Sequence, residues 1–538
     1  MKRRMIVLMA AAVPAAAALL VPVAANAVST TGGAPAATTC AAVPVSPPSG
    51  AVVESVTAAA NAGGTITFPL DPLFGPTAPI ADVPAWCDIT VTITHPGAND
   101  HVKIKLSLPT DPKKWSGRFQ ATGGSAYRAG DLGDPSPALV AAVKGGYVGG
   151  ATDAGVGPNA ADASWGLTAD GQTNTPLLTN FATRSVHDLA VVGKDVANRF
   201  YHRTVSYSYF NGCSTGGRQG YAEAQEYPAD FDGILANAPG IEWNRFEIAT
   251  LWSQAVFNEE KVAPSKCELD AFTAAAVKAC DTLDGVKDGV IDNPQSCTWD
   301  ARRLVGTKVA CGDQEITIDK ATADAVNKIW AGPTTTHGKK LWYGQNKGSD
   351  FSSIAVPGTP FLVPALWVKY FVTKDPSFDS TKLTYASFER LFRSATRQYD
   401  DIIGTNDPNL SEFARSGGKL LSWHGQSDQL IPTQGTVDYR ERVNRVHGGN
   451  KRVDNFYRLF LLPGVTHCAN GSTAPVVSDV AALDALTKWV EKGQAPATLP
   501  AASADGKTTR DICRYPMVAR YTGHGDTASA VNYRCVTA

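Results

Sequence analysis

Short apolar runs separated by helical patterns predict the regular structure up to about residue 240. Residues 102–108 alternate apolar and polar side chains, which is typical of a half-exposed strand. Apolar residues recur at helical spacing along residues 183–201. Four further apolar runs predict strands at residues 119–122, 147–150, 206–210 and 233–236. Strands that alternate with helices predict an α/β fold with a mainly parallel sheet and helices on both faces.

The pattern changes between about residues 241 and 400, where no strand alternation is visible. This stretch is rich in large aromatic residues: Trp243, Trp252, Trp330, Trp342, Trp367, Tyr370, Phe388 and Phe392. Strand-like apolar runs return at residues 420–423 and 456–462. We therefore predict an insertion at residues 241–400 that covers one edge of the sheet, where its aromatic side chains form an apolar pocket.

Composition limits the class of protein. The 538 residues are 43% hydrophobic, and this length exceeds the range in which a single core keeps growing, so two structural units are expected. The net charge of −1 gives no electrostatic basis for binding nucleic acid or an anionic membrane. The expected partner is a small or neutral molecule.

Residues 1–27 have the features of a secretory signal peptide. A basic start at residues 2–4 precedes a long apolar stretch and the small-residue site Ala25-Asn26-Ala27. We predict cleavage after Ala27 and secretion; a retained membrane anchor is the alternative, because the apolar stretch is long. No later run approaches the length of a membrane span, so no membrane partner is expected after cleavage. The ten cysteines all follow this segment, which fits an oxidising compartment.

A G-x-S-x-G motif, from Gly212 to Gly216, directly follows the predicted strand at residues 206–210. Small residues around Ser214 allow the sharp strand-to-helix turn that exposes a nucleophilic hydroxyl. Glycine and serine also form ordinary turns, so the motif alone is a weak signal.

Two later strands end near candidate partners for Ser214. Asp428 follows the strand at residues 420–423, and His467 follows the strand at residues 456–462. The order serine, aspartate, histidine, each past the C-terminal end of a strand, is that of an α/β-hydrolase triad. The sequence therefore predicts acyl transfer, with His467 as the general base and Asp428 orienting its imidazole.

The predicted triad indicates a fold and a domain organisation. We predict an α/β-hydrolase fold whose catalytic domain comprises residues 28–240 and 401–538. The insertion at residues 241–400 becomes a lid domain over the catalytic edge.

Two cysteines flank the predicted triad. Cys213 immediately precedes Ser214, and Cys468 immediately follows His467. A disulfide between them would bring their Cα atoms within roughly 5.5–6 Å and hold the hydroxyl and the imidazole close together. We expect this disulfide to position the two side chains as well as to stabilise the fold.

These residues resemble the pattern of the tannase and feruloyl esterase family. The matching residues are Cys213-Ser214, Asp428 and His467-Cys468, and the resemblance covers essentially the whole mature chain. Hydrolases of mono(2-hydroxyethyl) terephthalate are similar members of that family. The resemblance therefore implies esters of aromatic acids as substrates, with the acyl group carried on plant polysaccharide or tannin.

The resemblance also implies further disulfides and a structural Ca²⁺ ion in the lid; we expect no organic cofactor. It pairs Cys40 with Cys87, Cys280 with Cys297 and Cys513 with Cys535, which leaves Cys267 with Cys311. It assigns the metal to the side chains of Asp281, Asp284 and Asp288 and to the carbonyl oxygens of Val286 and Val290. Closely spaced carboxylates with glycines between them suit a hard cation. Two ordinary Asp-Gly turns are the alternative.

Acyl transfer also requires backbone N–H donors for the oxyanion. Thr215, directly after the nucleophile, is expected to supply one. The second is expected from the loop after residues 119–122, where family members often carry a longer glycine run; we favour Gly124 over Gly123. The histidines His187 and His424 are expected to be structural. His424 lies four residues before Asp428 and could support the site, but we favour a packing role.

Three functions remain open. The leading hypothesis is a secreted serine esterase that cleaves feruloyl or galloyl esters. The second is a hydrolase of other aromatic esters such as terephthalate monoesters, in which Arg390, Arg393 or Arg397 of the lid pairs with the free carboxylate. The third is a non-catalytic binding protein on a hydrolase scaffold, which an intact triad disfavours.

Overall fold

The computed structural model describes residues 39–71 and 75–537, so the predicted signal segment lies outside the described residues. In chain order the strands are β1 (Val52–Asn61), β2 (Gly64–Ile66), β3 (Ile80–Val83), β4 (Trp86–Thr94), β5 (Val102–Pro109), β6 (Arg118–Thr122), β7 (Tyr147–Thr152), β8 (Tyr207–Cys213), β9 (Gly233–Asn237), β10 (Lys308–Cys311), β11 (Gln314–Thr317), β12 (Lys419–Gly425), β13 (Tyr457–Leu462), β14 (Thr498–Ala502), β15 (Thr509–Cys513), β16 (Met517–Tyr521) and β17 (Tyr533–Thr537).

The α-helices are α1 (Pro137–Lys144), α2 (Thr175–Thr179), α3 (Ser185–Tyr201), α4 (Thr215–Glu226), α5 (Trp243–Thr250), α6 (Trp252–Glu260), α7 (Lys266–Cys280), α8 (Lys320–Ala331), α9 (Leu362–Trp367), α10 (Tyr385–Ile403), α11 (Ser411–Ser416), α12 (Thr433–His447), α13 (Asn450–Val453) and α14 (Asp479–Lys492). None of the helices in the described ranges combines the length and the apolar character that crossing a membrane requires.

Nine strands form one sheet in the order β1-β4-β5-β7-β6-β8-β9-β12-β13. The neighbours from β7 to β13 are parallel, whereas the pairs β1–β4, β4–β5 and β5–β7 are antiparallel. The sheet and its helices confirm the predicted α/β fold. Because β8, β12 and β13 run in the same direction, the loops after them meet at one edge of the sheet.

Alternate residues of the central strands face two different cores. Phe210 of β8 belongs to the hydrophobic cluster that contains residues of α3 and α4. Its neighbour Tyr209 belongs to the cluster that contains residues of α1 and α14. This alternation follows from the two-residue repeat of a strand, and it places helices on both faces of the sheet.

The strand β5 is buried, and its predicted half-exposure was wrong. Along β5 only Lys103 is exposed. Lys105 Nζ lies 3.4 Å from Asp88 Oδ2, and the hydroxyl of Ser107 donates to Asp88 Oδ1 at 2.5 Å. Lys105 and Ser107 therefore pair with a buried carboxylate of β4 instead of facing solvent.

Between β9 and β12 the chain forms a mainly helical insertion. The eight aromatic residues that the sequence indicated in this region all belong to or pack against one hydrophobic cluster. The insertion also contains an antiparallel hairpin, β10–β11, which the apolar pattern did not predict. This hairpin is short and its strands are mostly exposed, so it carries little apolar signal.

Five disulfides crosslink the described chain. They are Cys40–Cys87, Cys213–Cys468, Cys267–Cys311, Cys280–Cys297 and Cys513–Cys535. These are the pairs expected from the sequence and its family resemblance, and they use every cysteine of the chain.

Candidate active site

Ser214 lies at the turn between β8 and α4, at the C-terminal edge of the sheet. Its φ of 64° and ψ of −122° fall in a region that residues with a side chain rarely adopt. The flanking glycines permit this turn, because a Cβ atom on Gly212 would lie 2.6 Å from the backbone of Gly216. The Ser214 N–H donates to the carbonyl of Asn237 at 3.0 Å, which fixes the turn beside β9.

His467 and Asp428 are joined by a hydrogen bond of 2.7 Å between Nδ1 and Oδ2. The other carboxylate oxygen accepts the N–H groups of Leu430 and Ile431, each at 2.8 Å. Burial alone would raise the pKa of Asp428, but the His467 charge and hydrogen bonds from both histidines hold this pKa below its usual range. An ionised carboxylate only accepts, so His467 carries its proton on Nδ1 and leaves Nε2 free as a base.

His424 is a second histidine on Asp428, which favours the supporting role over the packing role that we preferred from the sequence. Its Nε2 lies 3.0 Å from Asp428 Oδ2, and its Nδ1 lies 2.9 Å from the hydroxyl of Thr436. The ring is fully buried. Because Asp428 only accepts, Nε2 of His424 is the protonated nitrogen. The four-residue spacing between His424 and Asp428 was the only feature of the sequence that indicated this contact.

The disulfide Cys213–Cys468 joins the residue before Ser214 to the residue after His467. Its Cα atoms are 6.0 Å apart. Ser214 and His467 both line the same cavity. The structure therefore places Ser214 and His467 at one cavity and joins His467 to Asp428 by a hydrogen bond.

The backbone N–H groups expected to stabilise the oxyanion differ in whether they already have a hydrogen-bond acceptor. Thr215 begins α4, so its N–H has no acceptor within the helix. The N–H of Gly124 instead donates to Gln219 Oε1 at 3.0 Å. The N–H of Gly123 donates to the carbonyl of Asn211, also at 3.0 Å. Both loop glycines thus have partners within the protein, which corrects the assignment of the second donor to Gly124.

The cavity at Ser214 has a volume of about 930 Å³. Of the eight aromatic residues indicated by the sequence, only Trp243 lines it; the others stabilise the insertion itself. Two further aromatic residues of the insertion, Phe246 and Phe361, also line the cavity, together with Ile431. An apolar, aromatic wall therefore faces the serine from the side of the insertion.

The same cavity extends past His467 into a groove between α1 and α14. Gln120 of β6 lies at its base, Ala141 lines it from α1, and Thr487 and Lys488 line it from α14. In this groove α1 packs mainly on β7 and α14 packs on β9 and β12, so the two helices lie on either side of β6 and β8.

The lid arginines proposed for a free substrate carboxylate are not at the site. Arg390, Arg393 and Arg397 are exposed on α10, and none of them lines the cavity. Arg393 donates to Glu389 at 2.8 Å. These side chains therefore face solvent on the outside of the insertion.

The acidic loop of the insertion begins at Asp281, whose Oδ1 accepts the N–H groups of Asp288 and Gly289 at 3.0 and 2.9 Å. Burial, together with the charges of Asp284 and Asp288, raises the pKa of Asp292 to about 8. The carboxylates are therefore crowded, and this oxygen-rich donor set fits the chemistry of Ca²⁺. Across residues 39–71 and 75–537, no group of three or more His, Cys, Asp or Glu side chains is assembled around a common metal position.

The family model for "Tannase and feruloyl esterase" matches residues 87–536. The chain is 46% identical over 467 residues to a probable feruloyl esterase of Arthroderma benhamiae, covering 84% of this chain and 85% of that protein. It is 32% identical over 392 residues to feruloyl esterase B of Aspergillus niger, covering 68% and 72% of the two chains.

Solved structures agree with the sequence comparison. Feruloyl esterase B from Aspergillus oryzae is similar with a TM-score of 0.77 at 27% identity, over 91% of this chain and 97% of that chain. Tannin acyl hydrolase from Aspergillus niger is similar with a TM-score of 0.80 at 25% identity, over 92% and 93% of the two chains.

Proposed function

Because the chain belongs to the tannase and feruloyl esterase family, it is a carboxylic ester hydrolase, and we propose that it is a secreted serine esterase acting through Ser214, His467 and Asp428. Its substrates are esters of phenolic acids, and the finer proposal is a feruloyl or galloyl acyl group. The single observation that carries the assignment of the catalytic residues is the crosslink Cys213–Cys468 between Ser214 and His467, with His467 bonded to Asp428.

The geometry supports an acyl-enzyme mechanism. His467 Nε2 takes the proton of Ser214 as its Oγ attacks the ester carbonyl carbon, and the N–H of Thr215 stabilises the oxyanion. When the bond between the carbonyl carbon and the alcohol oxygen breaks, His467 gives its proton to the leaving oxygen. Water then attacks the acyl group on Ser214 by the same proton transfers, which releases the acid and restores the serine.

We assign the acyl group to the side of the cavity that the insertion covers. Trp243, Phe246 and Phe361 line this side. Aromatic side chains contact an aromatic ring favourably in edge-to-face or offset geometry, so this wall suits an aromatic acid. The exposed positions of the three lid arginines give the terephthalate alternative no comparable support.

We assign the alcohol part of the ester to the groove between α1 and α14. The leaving oxygen receives its proton from His467, so the alcohol lies on the side of the cavity that continues past this residue. Polar side chains along the groove, including Gln120, Thr487 and Lys488, suit the hydroxyl groups of a sugar or polyol. An acyl group carried on plant polysaccharide or tannin fits this arrangement.

Secretion and Ca²⁺ binding complete the proposal. Five disulfides persist in an oxidising compartment and support export, as does the signal-like segment at residues 1–27. The ion would be held by Asp281, Asp284 and Asp288 with the carbonyl oxygens of Val286 and Val290. It would neutralise a crowded acidic loop and so stabilise the insertion, away from the chemistry. N-terminal sequencing of exported protein tests the cleavage site, and a first residue other than Val28 argues against it.

The catalytic proposal is tested by hydrolysis of methyl ferulate, methyl gallate and a terephthalate monoester side by side. We expect the wild-type protein to cleave at least one phenolic ester. Ser214→Ala is expected to lower kcat/KM by about 10⁴-fold or more with an unchanged melting temperature. Full activity of Ser214→Ala would reject the serine mechanism. A strong preference for the terephthalate monoester would favour the second hypothesis.

A further inference from the structure

Glu247 lies in the aromatic wall of the cavity. On α5, Trp243 precedes Phe246 by three residues and Glu247 by four, so both side chains are neighbours of Trp243 on the helix surface. All three line the cavity. Glu247 is nevertheless only 2% exposed. A carboxyl group therefore lies among aromatic side chains beside the position assigned to the acyl ring.

The Glu247 side chain makes no hydrogen bond or ion pair with any other residue in the part of the chain that the structure describes. The nearby Glu242 shows the contrast, because it pairs with Arg442 and with Arg245 at 2.8 Å. An isolated buried charge is unfavourable, and burial raises the pKa of Glu247 well above its usual range. In its protonated form, which burial favours, the group has one O–H donor and a carbonyl acceptor.

Of the polar groups near Glu247, the hydroxyl of Tyr127 and the terminal nitrogens of Arg218 are engaged elsewhere, whereas Trp243 Nε1 and Arg218 Nε have no hydrogen-bond partner among the described residues. The hydroxyl of Tyr127 donates to the carbonyl of Val363 at 2.8 Å. Arg218 lies 5.4 Å from the centre of the Trp243 ring, and its two terminal nitrogens donate to backbone carbonyls at 2.7 and 2.8 Å. The hydrogen-bonding capacity of Glu247 is therefore left for a molecule that enters the cavity.

We propose that Glu247 is a specificity-determining residue that recognises a hydroxyl group on the acyl ring of the substrate. This inference rests on the proposed function, and it narrows the substrate to phenolic acids. A phenolic hydroxyl both donates and accepts, so it can complete both functions of a neutral carboxylic acid. A free carboxylate on the ring would instead place a negative charge beside Glu247 in an aromatic wall, where the terminal nitrogens of Arg218 already donate to backbone carbonyls.

The test compares two esters that differ by one hydroxyl group, methyl 4-hydroxycinnamate and methyl cinnamate. We expect the wild-type protein to prefer the hydroxylated ester by about tenfold or more in kcat/KM. Glu247→Leu should bring this ratio close to one, mainly by lowering kcat/KM for the hydroxylated ester. Glu247→Gln should keep part of the preference, because an amide also donates and accepts. The ratio does not depend on how much of a variant is folded.

Phe246→Leu is the matched control, since it changes the same wall without a polar group and should lower both rates by a similar factor. A preference unchanged in Glu247→Leu, or absent from the wild-type protein, would overturn the inference. Binding of both esters to Ser214→Ala separates this inference from the proposed function. If the wild-type protein cleaves neither ester, the esterase proposal fails. The inference about Glu247 still stands if Ser214→Ala binds the hydroxylated ester more tightly and adding Glu247→Leu to that variant abolishes the difference.

Discussion

His424 and Asp428 form a buried hydrogen bond of 3.0 Å on the same carboxylate oxygen that contacts His467. Asp428 thus holds two imidazole rings with one oxygen and two backbone N–H groups with the other. Each oxygen of the Asp428 carboxylate therefore accepts two hydrogen bonds, and these four contacts fix its orientation toward His467.

Removing His424 should reduce catalysis through Asp428. We expect His424→Ala to lower kcat about ten- to hundredfold with little change in KM, because Asp428 loses a contact that fixes its orientation. More of the Asp428 charge then acts on the imidazolium, so the acid limb of the pH profile of kcat/KM should move to higher pH.

His187→Ala is the control for this experiment. His187 bonds to Asp230 at 2.6 Å and stacks on Tyr227, and it does not line the cavity. We expect its loss to affect stability without shifting the pH profile. An unshifted profile in His424→Ala would show that His424 only fills space.

The disulfide Cys213–Cys468 should affect both stability and rate. It closes a loop of 255 residues, so replacing both cysteines by alanine should lower the free energy of unfolding by up to about 5 kcal/mol in the chain-entropy model. In the protein that remains folded, kcat should also fall, because Ser214 and His467 are no longer crosslinked.

The pair Cys267–Cys311 provides the comparison. It closes a loop of 44 residues in the insertion, and its loss should cost up to about 4 kcal/mol. We expect kcat of the folded fraction to stay near the wild-type value. Equal kcat in the two double variants, measured after correction for the folded fraction, would argue against a positioning role for Cys213–Cys468.

Calcium removal should destabilise the insertion. We expect a chelator to lower the melting temperature by several degrees and added Ca²⁺ to restore it, because the proposed ion would neutralise the crowded carboxylates. Asp281→Asn should lower the response to the chelator, whereas Asp505→Asn on an exposed turn should respond like the wild-type protein. Calorimetry that finds the same melting temperature with and without the chelator would remove the ion from the proposal.

Glu223 should make stability depend on pH. It is buried on α4, and neither of its carboxyl oxygens has a hydrogen bond in the described structure. Burial raises the pKa of Glu223 well above its ordinary 4.5, so the folded state keeps a proton that the unfolded chain loses. The free energy of unfolding therefore falls by about 1.4 kcal/mol per pH unit from about pH 4.5 up to the raised pKa.

Glu223→Gln cannot ionise and should remove this slope. Urea unfolding at pH 5 and pH 8 measures it: the wild-type protein should lose more stability between these values than the variant does. Equal losses would mean that Glu223 ionises in the folded protein at little cost.

Sequence patterns predicted the central strands because their signals are local. The short apolar runs at β6, β7, β8 and β9 each reflect burial of a single strand on both faces. The pattern failed at β5, where Lys105 and Ser107 are buried by pairing with Asp88 of a neighbouring strand. A polar side chain that is satisfied by a distant partner cannot be distinguished from an exposed one by periodicity.

The sequence by itself determined the α/β fold and the order of Ser214, Asp428 and His467, because each follows a strand whose apolar run is visible locally. Tertiary structure alone decided the contact of His424 with Asp428 and the position of Glu247 in the cavity wall. The physical reason is that these roles depend on which neighbours surround a side chain. Burial without a partner favours the neutral form of one carboxyl group, and four donors favour the charged form of another.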